Sequence, residues 1–533
     1  MNVIILSVYI LAVALGVANL VMEYRRVLMM LQQNSYRNER YTRWLNSSGD
    51  TTSMSRLLGM IVLFGSVIKF STVSIGIVLM LAFFGLNIIT LARRRYKKPL
   101  VWTRRVARLF WSMSALSALV LGIFVVVVGV AGVEVRLFVG AFGLLALYLL
   151  SSVVVMLTNK LLEPVEKSIN RRYYDEAAAI LRSMPDLKII GITGSYGKTS
   201  TKHYLYRILA ESYDVAMTPG SFNTTLGVVR TIREYLKPYN EVFIVEMGAK
   251  QPGDIKEICD LVHPSTGIVT AVGEQHLESF GSIENVQRTK FELVDALPSD
   301  GLAVLNNDFQ YVANREVSNV RCVRYAINAT PATDYSVADV RYDATGTTFA
   351  VVTPDSRIDL HTRLVGECNI SNLVAAVIVA LDLGVPVDKI RYAVEKIEQV
   401  EHRLNIKRGA GGATIIDDAF NSNPTGSGMA LDVLASMTGG KRIVITPGMI
   451  ELGDRQEYHN RALGRKIAEC ADVAIVVGHY NRDAIMGGIE DGGMEAGRSH
   501  AVDTFADAQR LLASIVAPGD TVLYENDLPD TFK

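Results

Sequence analysis

The sequence has few of the residues that build metal clusters or disulfide frameworks. It contains 4 cysteines and 8 histidines in 533 residues. The cysteines are scattered, at Cys259, Cys322, Cys368 and Cys470. This spacing excludes the close Cys pairs typical of zinc sites. Isolated thiols indicate reducing surroundings, as in a cytoplasm, for the part of the chain that carries them.

The chain also has no net charge, because 54 basic residues balance 54 acidic ones. The balance hides an asymmetry, since residues 1–162 hold 17 Lys and Arg against 4 Asp and Glu. The remaining, acidic part carries no basic stripe interleaved with aromatic residues. This absence argues against nucleic acid as a partner.

Charged residues are nearly missing from several long apolar runs in the basic part, and each run predicts a membrane span. The runs are 3–22, 57–70, 72–90, 109–133 and 137–158. The first has no basic stretch before it and no small-residue cleavage site behind it, which favours a span over a removable signal peptide. We predict an α-helical membrane domain over residues 1–160, with a turn at Lys69–Ser71; the alternative is a buried helical domain of a soluble protein.

Basic loops predict the orientation of these spans. Residues 23–56 carry six Arg, and residues 93–108 carry eight Lys and Arg without an acidic residue. Basic loops stay on the cytoplasmic side. Five spans then place the N-terminus outside and the rest of the chain in the cytoplasm. Residues 161–185 predict an amphipathic linker helix that follows Pro164 and ends at Pro185.

The remaining chain alternates β-rich runs with helical patterns, which is typical of doubly wound α/β domains. We predict one domain over 186–400 with a P-loop ATPase fold and a Rossmann-like domain over 401–533. The predicted strands are 187–194, 241–248, 266–273, 301–308, 413–420, 442–449, 472–478 and 520–526. Residues 320–365 predict an antiparallel insertion in the first of these domains.

The stretch GITGSYGKTST, residues 191–201, has the setting of a phosphate-binding loop, between a predicted strand and a predicted helix. Its first glycine is Gly191, although the common G-x-x-x-x-G-K-[ST] pattern requires one at 192. In a phosphate loop, Lys198 would contact the β- and γ-phosphates, and Thr199 would bind Mg²⁺. The alternative is a glycine-rich turn without a ligand.

Three later residues support the phosphate loop. Glu246 ends a strand in VEMGA, where a carboxylate can bind Mg²⁺. His276 lies in VGEQHLESFGS, and Lys290 follows on a predicted helix. Taken singly, each has an ordinary interpretation as a solvated Glu, a structural His or an exposed Lys.

These motifs together resemble the Mur ligases of peptidoglycan synthesis, and within them the subgroup that adds D-alanyl-D-alanine. The resemblance covers roughly 186–525. It continues through HRLN at 402–405, IIDDAFNSNP at 415–424 and GMIELGD at 448–454.

The resemblance implies that ATP phosphorylates a carboxylate and that an amine then attacks the acyl phosphate. The implied ATP-binding residues are Gly194, Ser195, Gly197, Lys198, Thr199, Ser200, Asn369, Asn372, Arg403, Asp418 and Asn421. The implied metal ligands for Mg²⁺ are Thr199, Glu246, His276 and Lys290, the last as a carbamylated lysine. The implied catalytic group is Lys198, Glu246, His276, Lys290 and Arg403, and Asn223 and Thr224 would bind the acceptor.

Three departures from the family pattern bear on the substrate. Cys368 stands where relatives usually have His, and YENDLPDTF at 524–532 replaces a Lys-Gly-Ser-Arg-like segment that faces the amine. Membrane spans also replace the N-terminal domain that binds the uridine diphosphate of the soluble precursor.

The leading hypothesis is a ligase at the cytoplasmic face of a bacterial plasma membrane. Its partners would be membrane lipid, an envelope precursor that is lipid-linked or nucleotide-linked, and an amino acid or dipeptide amine. The alternatives are a poly-amino-acid polymer synthetase, a transport or signalling ATPase, and a non-catalytic scaffold. The sequence has no LSGGQ-type signature and no acid–base pair inside the predicted spans, which argues against transport.

Overall fold

The computed structural model of the chain describes residues 3–68, 73–94, 96, 98–127, 132–343, 346–419 and 422–528. Two compact units form, one ending at Ile169 and the other covering Asn170–Asp527. The predicted turn at Lys69–Ser71 and the predicted nucleotide contact Asn421 lie outside the described residues.

The first unit is helical. Its helices are α1 (Val3–Gln33), α2 (Asn38–Ser47), α3 (Met54–Ile68), α4 (Val73–Arg93), α5 (Arg104–Val127), α6 (Val133–Leu149) and α7 (Ser151–Arg182). Large apolar side chains remain exposed on these helices, among them Phe64, Trp111 and Val126. Contiguous exposed apolar surface of this kind is typical of lipid-facing helices.

Three of these helices are long and apolar enough to cross a membrane, namely α1, α4 and α5, and α6 with α7 forms a further, bent candidate. Helix α3 has 15 residues, about 22 Å of helix, which is shorter than a bilayer core of about 30 Å. The five-span prediction therefore depends on α3 and on residues beside it that are not described. The predicted outside position of the N-terminus depends on the same odd count.

The predicted span 137–158 is not one straight helix, and the predicted linker does not begin after Pro164. Helix α6 ends at Leu149, and α7 starts at Ser151 with its axis turned by 74°. Arg56 Nη1 donates a 2.7 Å hydrogen bond to the carbonyl of Leu149, and Nη2 donates to Ser151 Oγ. These contacts satisfy polar groups that the break exposes. Helix α7 then continues through Pro164 to Arg182.

A buried ionic network ties α1 to the segment before α3. Helix α1 extends eleven residues beyond the predicted span and carries Glu23 and Arg26 on this extension. Arg26 donates to both Glu23 and Asp50, and Arg56 Nη2 donates to Glu23 at 3.1 Å. All four side chains are less than a tenth exposed. Two cations thus neutralise two carboxylates inside the helical unit.

The middle domain of the second unit is a sheet with helices on both faces. Its strands are β1 (Lys188–Thr193), β2 (Val215–Met217), β3 (Val242–Glu246), β4 (Thr266–Val269), β5 (Leu302–Asn306), β6 (Arg321–Ala326), β7 (Tyr335–Asp343), β8 (Gly346–Val352) and β9 (Arg357–Thr362). Its helices are α8 (Lys198–Leu209), α9 (Thr225–Glu234), α10 (Asp254–Val262), α11 (Leu277–Phe280), α12 (Ile283–Asp295), α13 (Gln310–Ala313), α14 (Glu367–Asp382) and α15 (Val387–Glu395).

Strand order in this sheet is β2-β3-β1-β4-β5-β6-β7-β8-β9, parallel as far as β7 and antiparallel beyond it. Every residue of β3, β4 and β5 is buried, as expected for parallel strands covered on both faces. The predicted antiparallel insertion is wrong for β6, which pairs in parallel with β5. Residues 320–365 extend the main sheet, and β7, β8 and β9 pair antiparallel as predicted.

The C-terminal domain is a second, mostly parallel sheet of order β10-β11-β15-β12-β13-β14. Its strands are β10 (Asn405–Arg408), β11 (Thr414–Asp418), β12 (Arg442–Thr446), β13 (Val473–Val477), β14 (Ser499–Val502) and β15 (Thr521–Glu525). Its helices are α16 (Pro424–Ser436), α17 (Gln456–Cys470), α18 (Arg482–Asp491) and α19 (Phe505–Ile515). The prediction of two successive α/β domains is confirmed.

The ionic network makes a testable contribution to the stability of the helical unit. Replacing Arg56 by Ala leaves Glu23 and Asp50 buried with one cation, which costs about 3–5 kcal/mol. We expect the Arg56→Ala variant to melt well below the parent in detergent, measured by circular dichroism. Arg94→Ala, at an exposed arginine, is the control and should melt like the parent. Equal melting temperatures for both variants would contradict a stabilising network.

Candidate functional site

The predicted phosphate loop connects β1 to α8 at the carboxyl edge of the middle sheet. Gly197 caps α8 with a φ of 81°, and a Cβ there would lie 2.3 Å from Asn372 Oδ1. Only glycine fits this position without strain. The first N–H groups of α8 have no partner inside the helix, which is the arrangement that binds phosphate.

Gly191, whose displacement set this loop apart from the common pattern, is a packing residue. A Cβ at Gly191 would lie 2.6 Å from Leu293 Cδ1 on α12 and 2.9 Å from Met247 Cε. The glycine therefore lets α12 approach β1 closely. Ser195 also supports the loop, since its Oγ donates to the carbonyl of Gly273 and its N–H donates to Ala271.

Glu246 is the buried carboxylate of the site. Its Oε1 accepts a 2.9 Å hydrogen bond from Asn223 Nδ2, and its Oε2 lies 3.0 Å from Lys202 Nζ. Burial raises the pKa of Glu246, but Lys202, Lys198 and Asn223 outweigh it and hold the pKa below its usual value. Glu246 is therefore ionised at neutral pH.

Positive charge exceeds negative charge around this carboxylate. The Lys198 ammonium donates to the carbonyl of Gly194 at 2.6 Å, and burial lowers its pKa to about 8. Burial lowers the pKa of Lys202 and of Arg403 as well. Glu246 partly offsets this at Lys202, and Asp418 and then Glu246 offset it at Arg403. A buried surplus of cations is costly unless an anion joins them. The arrangement thus fits a polyphosphate.

The geometry also fits Mg²⁺. Glu246 Oε2 is buried and pairs with the Lys202 ammonium at 3.0 Å, which leaves a lone pair of this oxygen for a metal. Among the residues that the structure describes, no three His, Cys, Asp or Glu side chains form a ready cluster. Mg²⁺ does not require one, because it is commonly held by one or two carboxylates, phosphate oxygens and water. Thr199 and Glu246 would supply the protein ligands.

Lys290 is a buried cation without an ionic partner at contact distance. It lies on α12, only 2% exposed, and no described residue accepts a hydrogen bond from its ammonium. Burial and then Lys198 hold the pKa of Lys290 well below its usual value. The interpretation of Lys290 as an exposed helix residue is therefore wrong. This shift favours the neutral amine, which is the form that CO₂ carbamylates.

His276 lies in the loop after β4, which meets the C-terminal domain. Its φ of 55° is in the left-handed region, and its Nδ1 is hydrogen-bonded to Glu451 Oε2. Burial lowers the pKa of His276, so the imidazole is neutral and Nε2 can bind a metal. The sequence did not identify Glu451 as a site residue.

A cavity of about 220 Å³ lies between the phosphate loop and the C-terminal domain. Its lining includes several predicted ATP contacts: Gly197, Ser200, Asn369, Asn372, Arg403 and Asp418. Asn369 and Asn372 are held by Tyr204 and Thr201 of α8 at 2.8 and 3.3 Å. The structure thus brings these six predicted residues around one cavity.

Two aromatic residues that the sequence did not single out also line this cavity. The rings of Tyr196 and Phe309 pack edge to face at 5.3 Å. Tyr196 OH donates a 3.1 Å hydrogen bond to Thr425 Oγ1 of the C-terminal domain. An apolar wall next to phosphate-binding groups is suited to a nucleotide base.

Lys202 is a further residue that sequence reasoning missed. It is fully buried, donates to the carbonyl of Gly220 at 2.6 Å and pairs with Glu246. Its spacing of four residues from Lys198 on one helix was the available signal, because such residues share a helix face.

The acceptor-side residues differ in their contacts. Asn223 contacts Glu246, as described above, and its carbonyl accepts from the Gly248 N–H at 2.7 Å. Thr224 caps α9 by accepting the Gly227 N–H at 3.3 Å, so its side chain has a structural task. Cys368 lines the same 220 Å³ cavity, at the position where the family pattern usually has His.

Comparison with known proteins identifies both α/β domains. Residues 192–380 match the Mur ligase middle domain, and residues 402–524 match the Mur ligase glutamate ligase domain. Two of the relatives are named UDP-N-acetylmuramoyl-tripeptide–D-alanyl-D-alanine ligase. The Escherichia coli protein is 30% identical over 54% of this chain and 63% of its own length. The Mycobacterium tuberculosis protein is 33% identical over 63% of this chain and 70% of its own length.

A solved structure has the same fold. The crystal structure of MurF ligase from Thermotoga maritima in complex with ADP superimposes with a TM-score of 0.60 at 25% identity, covering 66% of this chain and 80% of that one. The matched domains exclude the helical unit, and this chain spans less than two thirds of the Escherichia coli relative.

Two carboxyl groups, those of Asp418 and Glu525, should make the stability of the folded state depend on pH. Burial, opposed by Arg403, raises the pKa of Asp418 to about 6, and burial with Asp418 raises that of Glu525. The folded state therefore holds these protons more tightly than the unfolded state, and stability falls as pH rises through about 6. We expect Asp418→Asn to recover up to about 3 kcal/mol at pH 8.

Hydrogen–deuterium exchange of β11 and β15, corrected for the intrinsic effect of pH, measures this gain. Asp417→Asn is a matched control of opposite sign. Hydrogen bonds from Lys407 and His402 outweigh burial and lower the pKa of Asp417, so this variant should lose protection at pH 8. Equal protection of Asp418→Asn and the parent at pH 8 would contradict the prediction.

Proposed function

This chain belongs to the Mur ligase family, and we propose that it is an ATP-dependent, ADP-forming ligase that joins an amine to a carboxylate of a peptidoglycan precursor. The observation that carries the proposal is the buried surplus of positive charge around Glu246 at the N-terminus of α8. Such a surplus of positive charge suits an anionic triphosphate, bound together with its metal ion, more than any uncharged ligand. Family membership gives no support to a transport ATPase.

The residues of the loop have distinct tasks in this proposal. The N–H groups at the start of α8 bind phosphate oxygens, and Lys198 places its ammonium against the β- and γ-phosphates. Arg403 adds a second cation from the connection between the two domains. Mg²⁺, held by Thr199 and Glu246, neutralises charge on the phosphates. The acceptor carboxylate can then attack the γ-phosphorus without facing uncompensated negative charge.

The second half of the reaction needs the C-terminal domain. In the proposal, an amine attacks the acyl phosphate, an amide bond forms, and phosphate leaves with the C–O bond electrons. The cavity is lined from both domains, by Asn372 on one side and Asp418 on the other. Docking of the two domains would exclude water and protect the acyl phosphate from hydrolysis.

The helical unit suggests a more specific acceptor, namely a precursor that is linked to a lipid. We propose that this unit replaces the nucleotide-sugar domain and holds the ligase at the cytoplasmic face of a bacterial plasma membrane, next to a lipid-linked precursor. The support is the match of both catalytic domains in a chain whose N-terminal part is a set of apolar helices.

A ligation assay tests the function. Full-length protein in nanodiscs would receive ATP, Mg²⁺, a muramoyl tripeptide acceptor and D-Ala-D-Ala, and mass spectrometry would follow the product. We expect phosphate release that depends on both acceptor and amine. Lys198→Ala should reduce the rate at least 100-fold, because the polyphosphate loses its buried cation. Lys389→Ala, remote from the loop, is the control and should retain the parental rate.

The outcomes separate the alternatives. Phosphate release that needs no amine would contradict a ligase. Repeated addition of one amino acid would favour a poly-amino-acid polymer synthetase. Equal turnover of soluble UDP-linked and lipid-linked acceptors would contradict the lipid-linked version while leaving the ligase standing.

The proposed carbamate on Lys290 has its own test. A neutral amine attacks CO₂, a C–N bond forms, and the amine releases a proton, which leaves an anionic group among the cations. We expect a carbamate signal in ¹³C NMR after incubation with ¹³C-bicarbonate, lost in the Lys290→Gln variant. Lys256→Gln, at an exposed lysine, is the control. A carbamate signal that persists in Lys290→Gln would contradict the assignment.

A further inference from the structure

Two loops from different domains meet at His276, one of the proposed metal ligands. The first, residues 273–281, follows β4 and carries His276; the second, residues 448–455, follows β12 and carries Glu451. His276 Nδ1 is hydrogen-bonded to Glu451 Oε2, and the Glu278 N–H donates to the carbonyl of Glu451 at 3.3 Å. Lys250 Nζ lies 3.7 Å from the other carboxylate oxygen.

We propose that Glu451 is a positioning residue that orients His276 for metal binding, and that it does so only when the two domains are docked. The inference rests on the proposed function, because it concerns the metal site of that reaction. Glu451 itself would not touch substrate or metal.

The chemistry of histidine supports this assignment. An imidazole that binds a metal through one nitrogen commonly donates its other N–H to a carboxylate, which fixes the tautomer and the ring orientation. The contact with Glu451 uses Nδ1 and leaves Nε2 of His276 with its lone pair. A His276 ring without this partner could rotate or exchange tautomers.

Backbone geometry on both sides holds the contact in place. His276 and Glu451 have φ values of 55° and 64°, in the left-handed region that side chains other than glycine rarely adopt. Such conformations persist where the surroundings define them strongly. Two unfavourable conformations thus meet at one hydrogen bond, which indicates a specific arrangement of the two loops.

A neighbouring ion pair also joins the two loops, and it provides a control for the positioning role of Glu451. Arg455 and His459 of the C-terminal domain both contact Glu274 of the middle domain. Arg455 is 60% exposed, whereas His276 and Glu451 are less than a fifth exposed. Exposed pairs contribute little to binding. Arg455 therefore links the same two loops without contacting His276.

Metal binding and domain docking are coupled, because the residues that form the His276 site come from both domains. Thr199, Glu246 and His276 belong to the middle domain, and Glu451 comes from the C-terminal domain. Docking would therefore raise the affinity of the His276 site, and a metal at this site would in return favour docking. The amine-transfer step would then proceed only in a chain whose domains are together.

Mn²⁺ binding to the full-length protein in nanodiscs, with a non-hydrolysable ATP analogue, tests the inference by electron paramagnetic resonance. We expect Glu451→Gln to weaken the weaker of two Mn²⁺ sites about 10- to 100-fold. Hydrogen–deuterium exchange supplies a second readout. Mn²⁺ should slow exchange in residues 448–455 of the parent and have little effect there in Glu451→Gln.

Arg455→Ala is the matched control, since it removes the neighbouring contact between the same loops; its Mn²⁺ affinity should stay within about twofold of the parent. Unchanged affinity in Glu451→Gln, or an equal loss in Arg455→Ala, would overturn the positioning role and leave the proposed ligase standing. A parent chain that binds no Mn²⁺ with the analogue would overturn both.

Discussion

The second unit depends on one carboxylate, Glu246, which is buried among Lys198, Lys202 and Arg403. Its ion pair with Lys202 lies at 3.0 Å with both side chains at most 1% exposed. Glu246 alone cannot neutralise three cations; Asp418 partly offsets Arg403, and Lys198 and Arg403 remain partly exposed. The fold tolerates this excess of positive charge because an anion can balance it. The N-terminus of α8, the loop glycines and the cavity beside the phosphate loop are arranged to accept such an anion.

The sequence predicted the site residues that lie at the end of a strand or in the helix that follows it. Glu246 ends β3 and Lys198 begins the helix after β1, so adjacency of the two parallel strands brings them together. The two α/β domains and their buried strands were predictable for the same reason, since buried parallel strands are continuous apolar runs. The prediction missed β2, β10 and β14, which are not buried. The contacts of Lys202 and Glu451 were not, because they depend on side chains meeting across helices and domains far apart in sequence.

In the helical unit, the ends of the helices could not be predicted from the sequence. Apolar runs predicted helices, but not where Arg56 would place its charge. By donating to Leu149 and Ser151, Arg56 satisfies polar groups at the break where α6 ends and α7 turns by 74°. Hydropathy therefore describes the composition of a span better than its ends. A count of spans based on apolar runs alone misses a helix bent inside such a run.

The division of the site between domains implies an order of binding. The middle domain supplies Lys198, Lys202 and the N-terminus of α8, so a polyphosphate would have its strongest interactions there before the C-terminal domain contributes. Asp418 and Glu451 add carboxylates, which would repel a free triphosphate but suit one already neutralised by Lys198, Lys202 and Mg²⁺. Nucleotide and metal should therefore bind first, and docking of the C-terminal domain should follow. An amine arriving with that docking would meet an acyl phosphate already shielded from water.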